Sequence, residues 1–154
     1  MVSLKNITKN GKSIFLAYDQ GMEHGPTDFN DKNVDPDYIL DIAKKGKFNG
    51  VIFQKGVAEK YYKGKVPLIV KLNGKTSLVK GDPISPQVCS VTEAKELGAK
   101  AVGYTIYIGS SHEEDMFREF GRIEEKAHEL GLPVIAWMYP RGKNVKNPMS
   151  REML

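Results

Sequence analysis

Three side chains in residues 133–142, with the sequence PVIAWMYPRG, have types and spacing that could support chemistry. Because side chains alternate along a strand, Trp137 and Tyr139 lie on one face, and Arg141 follows on the turn. An indole, a phenol and a guanidinium together suit a corner that binds an anion and moves a proton. The alternative is structural: a core tryptophan, a tyrosine at the rim and a solvated arginine.

Polar residues also follow the apolar run at 13–19, in the Gly-rich stretch DQGMEHGP. A carboxylate at Asp19 could orient substrate hydroxyls or hold an ammonium group, whereas its structural role would be a turn cap. Glu23 and His24 could form an acid/base pair or part of a metal site. Since no third ligand has the spacing of a zinc motif, we expect no metal.

Lys71 interrupts the apolar run at 66–73, and alternation places it on the same face as Ile69 and Asn73. A dry interior lowers the pKa of a lysine, so Lys71 could form a Schiff base. The alternative is an interior lysine held in an ion pair. Cys89 has no sequence partner, and we interpret it as structural.

Five strand-like runs alternate with helical patterns; they lie at 13–19, 50–54, 66–73, 101–108 and 133–142. Asp35 and Pro36 have the residue types that begin a helix, and the polar stretch 19–26 reads as a loop. Capping boxes are predicted at two further helix starts; they pair Ser90 with Glu93 and Ser111 with Glu114. This alternation predicts a parallel sheet with helical crossovers.

Two architectures fit this pattern, and in both the chemistry belongs at the carboxyl ends of the strands. A five-stranded open sheet of flavodoxin type would be complete at this length. A (β/α)8 TIM barrel uses about 250 residues, or roughly 31 for each strand-helix unit. By that measure 154 residues hold five units, which equals the number of strand-like runs.

Composition indicates one globular domain of 154 residues, with 40% hydrophobic and 27% charged residues. The net charge is +4 and no five basic residues are consecutive, so we expect an anionic small substrate and no nucleic acid partner. The single cysteine forbids an internal disulfide and fits a reducing compartment. The N-terminus lacks the apolar core of a signal peptide, and no apolar run could cross a bilayer, so we expect no membrane partner and a cytoplasmic location.

Five segments in order resemble the archaeal-type class I fructose-bisphosphate aldolases: LAYDQGMEHGPTDF, VIFQKGVAEKYY, PLIVKLNGKTSL, GAKAVGYTIYIGS and IAWMYPRG. The resemblance implies an α/β fold, a partial (β/α)8 TIM barrel of about five parallel strands with helices. It also implies a single domain over residues 1–154 that is truncated at its C-terminal side relative to the family.

The family reaction implied by the resemblance is the reversible aldol cleavage of fructose 1,6-bisphosphate to dihydroxyacetone phosphate and glyceraldehyde 3-phosphate. It proceeds through a Schiff base, with no metal or other cofactor. By the matched segments, Tyr139 would be the acid/base, Trp137 would line the pocket and Asp19 would position substrate or lysine. The implied substrate-binding residues are Gln20, Gly21, Met22, Glu23, His24, Lys71, Pro140 and Arg141. Gln20 stands where some members have histidine.

In the family the Schiff-base lysine lies on strand six, and the main phosphate-binding loops follow strands seven and eight. The resemblance therefore implies that this chain lacks the nucleophile and is inactive by itself. We expect a homo-oligomer, or pairing with the missing part of the barrel. Two alternatives remain: a non-catalytic half-barrel assembly module, and a related Schiff-base aldolase acting on another sugar phosphate.

Overall fold

Five parallel strands form one sheet in the computed structural model, which describes residues 2–150. The strands are β1 (Phe15–Tyr18), β2 (Gly50–Gln54), β3 (Leu68–Lys71), β4 (Ala101–Ile108) and β5 (Val134–Pro140). They follow one another across the sheet in chain order. A flavodoxin-type sheet reverses direction after its first strand, whereas a barrel adds each strand on the same side. The order therefore excludes the flavodoxin-like alternative and confirms the prediction of a partial TIM barrel.

Helices connect the strands; they are α1 (Gln20–His24), α2 (Pro36–Lys45), α3 (Lys55–Tyr61), α4 (Val91–Glu96) and α5 (Glu113–Glu129). As predicted, Asp35 caps α2, where its side chain accepts a hydrogen bond from the backbone N–H of Asp37. The predicted capping box of Ser90 and Glu93 is present at the start of α4. Within residues 2–150, none of these helices has the length and apolar character needed to cross a membrane.

Two local predictions are wrong. The stretch 19–26 was expected to be a loop, but it contains α1 and the start of a 3-10 turn at Gly25–Asp28. The capping box of Ser111 and Glu114 is not formed, because α5 begins after His112. There the hydroxyl of Ser110 accepts a hydrogen bond from the backbone N–H of His112, so the capping contacts lie one residue earlier than the pattern suggested.

The sheet has an apolar layer on each face. The larger layer lies between the strands and the helices; its strand residues include Tyr18, Val51, Phe53, Leu68, Val70, Val102, Tyr104 and Ile106, and Tyr107 packs against it at the end of β4. A smaller layer covers the inner face, and its members are Ile7, Phe15, Ile52, Ile69, Ala101, Ile135 and Trp137. Since side chains alternate, Lys71 falls in the row of Ile69 and faces the barrel interior, two residues nearer the carboxyl end of its strand.

The central strands are buried on both faces, as expected for a parallel sheet covered by helices. The edge strands β1 and β5 are more exposed, and Tyr139 on the inner face of β5 is 42% exposed. Within the described residues, the inner face is therefore buried along the central strands and accessible to solvent along the two edge strands. Tyr139 lies on one of those edges.

Candidate active site

The most buried charged group of the site is the ammonium of Lys71, at the carboxyl end of β3. Its Nζ lies 2.9 Å from Oδ2 of Asp19, which follows β1, and 2.6 Å from Oε1 of Glu23 in α1. The Lys71 side chain is 5% exposed, and the two carboxylates are 19% and 14% exposed. Residues from three elements thus form one ionic cluster in the interior, with two carboxylates around a single ammonium.

The structure distinguishes between the two interpretations of Lys71, a lysine with a lowered pKa and an interior lysine held in an ion pair. Burial by itself lowers the pKa of this lysine, but the charge of Asp19 and the hydrogen bond to Glu23 more than offset that effect. The net result is a pKa raised above the ordinary lysine value. Lys71 is therefore the ion-paired interior lysine of the second interpretation, and the hypothesis of a lowered pKa suited to Schiff-base chemistry is wrong for this residue.

Tyr107 on β4 joins this cluster, although the sequence analysis did not select it. It is fully buried, and its hydroxyl lies 3.4 Å from Oε2 of Glu23. Burial raises the pKa of Tyr107, and the carboxylate of Glu23 raises it further, so the phenol stays protonated. The signal that could have found it is alternation in GYTIYI: residues 103, 105 and 107 share the inner face of β4.

Tyr139 and Arg141 lie next to each other at the end of β5, as the sequence predicted. The rings of Tyr139 and Tyr107 have centroids 6.4 Å apart, and the Arg141 guanidinium lies 5.1 Å from the Tyr139 ring centroid. Tyr139 is 42% exposed, so its phenol can reach a molecule bound on the inner face. An accessible phenol with a guanidinium beside it has the chemistry of a group that transfers a proton to a bound anion.

Trp137 packs over Gly103 of β4 on the inner face. A β-carbon built on Gly103 would overlap the six-membered ring of the indole. Only a residue without a side chain lets the indole lie flat against the neighbouring strand at this point. Trp137 and Tyr139 share one face of β5, as alternation predicted; the structure shows that it is the inner face, and Gly103 makes the position of the indole possible.

Gly103→Ala is expected to displace the indole of Trp137 and to destabilise the fold by about 1–3 kcal/mol, the usual cost of overpacking. Trp137 is the single tryptophan, so its fluorescence emission reports its environment directly, and we expect a shift to longer wavelength. Gly56→Ala is the matched control, because a β-carbon at Gly56 meets nothing within 4 Å. An unchanged emission spectrum in Gly103→Ala would show that the indole does not rest on this glycine.

The remaining predicted substrate-binding residues lie around the same rim. Gln20 and Gly21 are half-buried in α1, and the sulfur of Met22 covers Gly74 after β3. His24 is exposed and pairs with Asp28. Pro140 ends β5 directly before Arg141. These residues border the carboxyl-end rim, while the ionic cluster and the aromatic pair occupy the inner face.

Asn73 joins β3 to β4 beyond Lys71 and Gly103, the last pair in the register of these two strands. The sequence analysis gave this residue no role. Its side-chain amide donates to the carbonyls of Ser85 at 2.7 Å and Thr105 at 2.8 Å, and its oxygen accepts from the Thr105 backbone N–H at 2.8 Å. Gln54 donates to the Asn73 carbonyl at 3.1 Å. Asn73 is thus a structural residue beneath the site, because a buried amide with these bonds has little capacity left for a ligand.

A groove of about 630 Å³ opens beside the site and shares Asp19 and Gln54 with it. Most of its lining is apolar; those residues are Tyr18, Phe29, Val34, Pro36, Val57, Tyr61 and Val88. We place the chemistry on the inner face, because the charged and proton-bearing groups converge there. No cluster of three metal-ligating side chains occurs within residues 2–150.

Cys89 is buried, and burial raises its thiol pKa to about 11. A thiol with that pKa is protonated at neutral pH and is a poor nucleophile. The interpretation of Cys89 as a structural residue agrees with this environment.

Polar and aromatic groups at the carboxyl ends of barrel strands define an enzyme-type site. Residues 13–153 match the DeoC/LacD family of aldolases, and the chain belongs to that family. It is 54% identical over 153 residues to the class 1 fructose-bisphosphate aldolase of Thermoproteus tenax, a match that covers 98% of this chain and 58% of that protein.

Two further comparisons also find fructose-bisphosphate aldolases. A Methanocaldococcus jannaschii protein described as fructose-bisphosphate aldolase/6-deoxy-5-ketofructose 1-phosphate synthase is 43% identical, over 90% of this chain and 49% of that protein. The solved structure of an archaeal fructose-1,6-bisphosphate aldolase, with its catalytic lysine covalently bound to the carbinolamine intermediate, superposes with a TM-score of 0.94 at 54% identity. That match covers 97% of this chain and 61% of that chain. The chain thus spans about three fifths or less of the length of these relatives.

Proposed function

We propose that this chain forms the part of a class I, Schiff-base fructose-1,6-bisphosphate aldolase that contributes substrate contacts and moves the proton. The observation that carries the proposal is the convergence of Asp19, Lys71, Trp137 and Tyr139 on the inner face of one partial barrel. The identity of 54% to the Thermoproteus tenax aldolase supports the same reaction class.

In this proposal Tyr139 transfers a proton at its phenol oxygen as the carbon–carbon bond of the substrate breaks or forms. Arg141 lies beside that phenol and offers a cation to a substrate oxyanion. Trp137 supplies an apolar wall. Asp19 follows β1 at the opposite edge of the sheet and orients the reacting groups from there. The ammonium of Lys71 on β3 holds the Asp19 carboxylate in place.

Lys71 has no nucleophilic role in the proposal, because its ammonium is paired with two carboxylates. The Schiff-base lysine must then lie outside the described part of the site. Substrate contacts are assigned to the rim, at Gln20, Gly21, Met22, His24, Pro140 and Arg141. Glu23 is directed at Lys71 and Tyr107, so it contributes by holding the cluster in place.

The test is a chimera in which residues 1–154 replace the matched 58% of the Thermoproteus tenax aldolase. We expect the purified chimera to cleave fructose 1,6-bisphosphate, measured by coupling the released triose phosphates to a dehydrogenase. The unmodified relative serves as the positive control. A chimera that folds, as judged by circular dichroism and cooperative unfolding, but cleaves nothing would refute the proposed function.

We propose in addition that the exposed edges of the sheet pair with further protein, either a second copy or the remainder of a barrel, in the cytoplasm. Edge strands carry unpaired backbone groups that favour such association. Sedimentation of the chain at several concentrations measures this directly, and we expect the mean mass to rise with concentration. A monomer at every concentration would contradict self-association of the chain. If the chain also stays monomeric when a fragment that carries the remainder of the barrel is added, pairing with that remainder is contradicted as well.

A further inference from the structure

We infer that Tyr107 is a positioning residue that holds the ring of Tyr139 in the orientation its proton transfer requires, anchored by Glu23 on the opposite side of the site. The inference rests on the proposed function for the chemistry of Tyr139. The coupling between the two tyrosines rests on geometry alone.

Glu23 links two parts of the site through its two oxygens. Oε1 accepts from the Lys71 ammonium at 2.6 Å, and Oε2 faces the Tyr107 hydroxyl at 3.4 Å. The helix that carries Glu23, α1, has only five residues, and a helix of that length is not stable alone. The contacts of Glu23 with the interior therefore fix α1 and, through the carboxylate, fix the hydroxyl end of Tyr107.

The ring of Tyr107 extends this link to the edge strand. Tyr107 and Tyr139 are register partners on β4 and β5, and their ring planes meet at 35° with centroids 6.4 Å apart. Tyr107 is completely buried, whereas Tyr139 is 42% exposed. A rigid ring beside a partly exposed one restricts the rotamers of the exposed ring. Tyr107 thus connects the ionic cluster near β1 and β3 with the phenol on β5.

A second buried tyrosine on the same strand separates positioning from simple core packing. Tyr104 is also fully buried, and its hydroxyl donates to Oε2 of Glu119 at 2.5 Å. Because Tyr104 and Tyr107 are three residues apart in a strand, they face opposite sides of the sheet. Tyr104 packs against Phe120 of α5 in the helix-facing layer. The chain therefore contains a matched control: the same residue type, burial and partner chemistry, away from the site.

The experiment uses the 154-residue chain labelled with 3-fluorotyrosine, with the Tyr139 fluorine resonance assigned from Tyr139→Phe. Tyr107→Leu, which removes the ring, is expected to shift and broaden that resonance. Tyr107→Phe keeps the ring but frees its anchored end, and a smaller shift is expected. Glu23→Gln should move the resonance in the same direction as Tyr107→Phe. Tyr104→Phe should leave it in place, although it also loses a buried hydrogen bond.

In the chimera, Tyr107→Phe is expected to lower kcat about 10-fold or more with KM little changed, because small misplacements of a reacting group cost that much. Tyr104→Phe should lower stability without this kcat effect. If Tyr107→Phe folds and leaves both the Tyr139 resonance and kcat at wild-type values, the inference is overturned. An inactive wild-type chimera would instead refute the proposed function, while the fluorine spectra would still decide whether Tyr107 positions Tyr139.

Discussion

Replacing Tyr139 with phenylalanine is expected to lower kcat of the chimera for fructose 1,6-bisphosphate cleavage by about 10²- to 10⁴-fold, the usual contribution of a general acid/base. The phenol oxygen acts on the breaking bond, so its loss should affect kcat much more than KM. The ring remains, and its packing against Tyr107 should preserve the fold. Steady-state kinetics and thermal unfolding of the same preparation separate the two effects.

Met138→Leu is the matched control for this substitution. Met138 is the neighbour of Tyr139 on β5, its side chain points to the other face of the strand, and it is 52% exposed. We expect its kcat to stay within about twofold of wild type, as for a volume-conserving change away from a site. A Tyr139→Phe chimera that retains more than a tenth of wild-type kcat would remove the proton-transfer role from Tyr139.

Replacing Lys71 with methionine is expected to have the largest effect on stability, a loss of about 3 kcal/mol or more in the free energy of unfolding. The substitution leaves the carboxylates of Asp19 and Glu23 close together in the interior without their shared cation. Urea unfolding at neutral pH measures the change. Adding Glu23→Gln to the variant should recover part of the loss, because one of the two unpaired charges is then removed.

Lys63→Met is the control for a lysine that is also paired with a carboxylate. Its ammonium lies 3.1 Å from Oδ1 of Asp37, but both side chains are exposed. An exposed ion pair contributes about 0–1 kcal/mol, so the expected loss is small. Equal losses for Lys63→Met and Lys71→Met would contradict the importance of the buried cluster.

The pKa of Lys71 also sets a pH window for this stabilisation. Because the folded state raises that pKa above the ordinary lysine value of 10.5, the folded protein holds the proton more tightly than the unfolded chain. The contribution is present in full below that ordinary value and declines as the pH rises through the higher folded pKa. Above neutral pH, the difference in unfolding free energy between wild type and Lys71→Met should therefore hold until the solution is strongly alkaline and shrink there.

Much of the fold follows from local pattern. Each of the five apolar runs contains a strand of the sheet, and alternation placed Trp137 and Tyr139 on one face of β5, which is the inner face. The helix at Gln20–His24 could not be predicted in this way, because it is only five residues long and contains a glycine, which has weak helical preference. It is stabilised by a contact across the barrel, from Glu23 to Lys71, that no local pattern contains.

The site was only partly predictable for the same reason. Asp19, Lys71 and Tyr139 were selected by residue type at strand ends, which topology brings together in a parallel sheet. The protonation state of Lys71 depends on two carboxylates from other parts of the chain, one of them 48 residues away, so residue type alone left open whether this lysine has a lowered pKa or is held in an ion pair. Gly103 and Tyr107 were missed, because their roles come from neighbours on adjacent strands.

Borohydride reduction of the chimera in the presence of dihydroxyacetone phosphate, followed by peptide mapping, tests most directly that this chain supplies proton transfer and binding without the nucleophile. We expect a reduced adduct on one lysine of the portion contributed by the Thermoproteus tenax enzyme, and unmodified lysines throughout residues 1–154. An adduct on Lys71 or Lys55 would contradict the division of roles proposed for this half of the barrel.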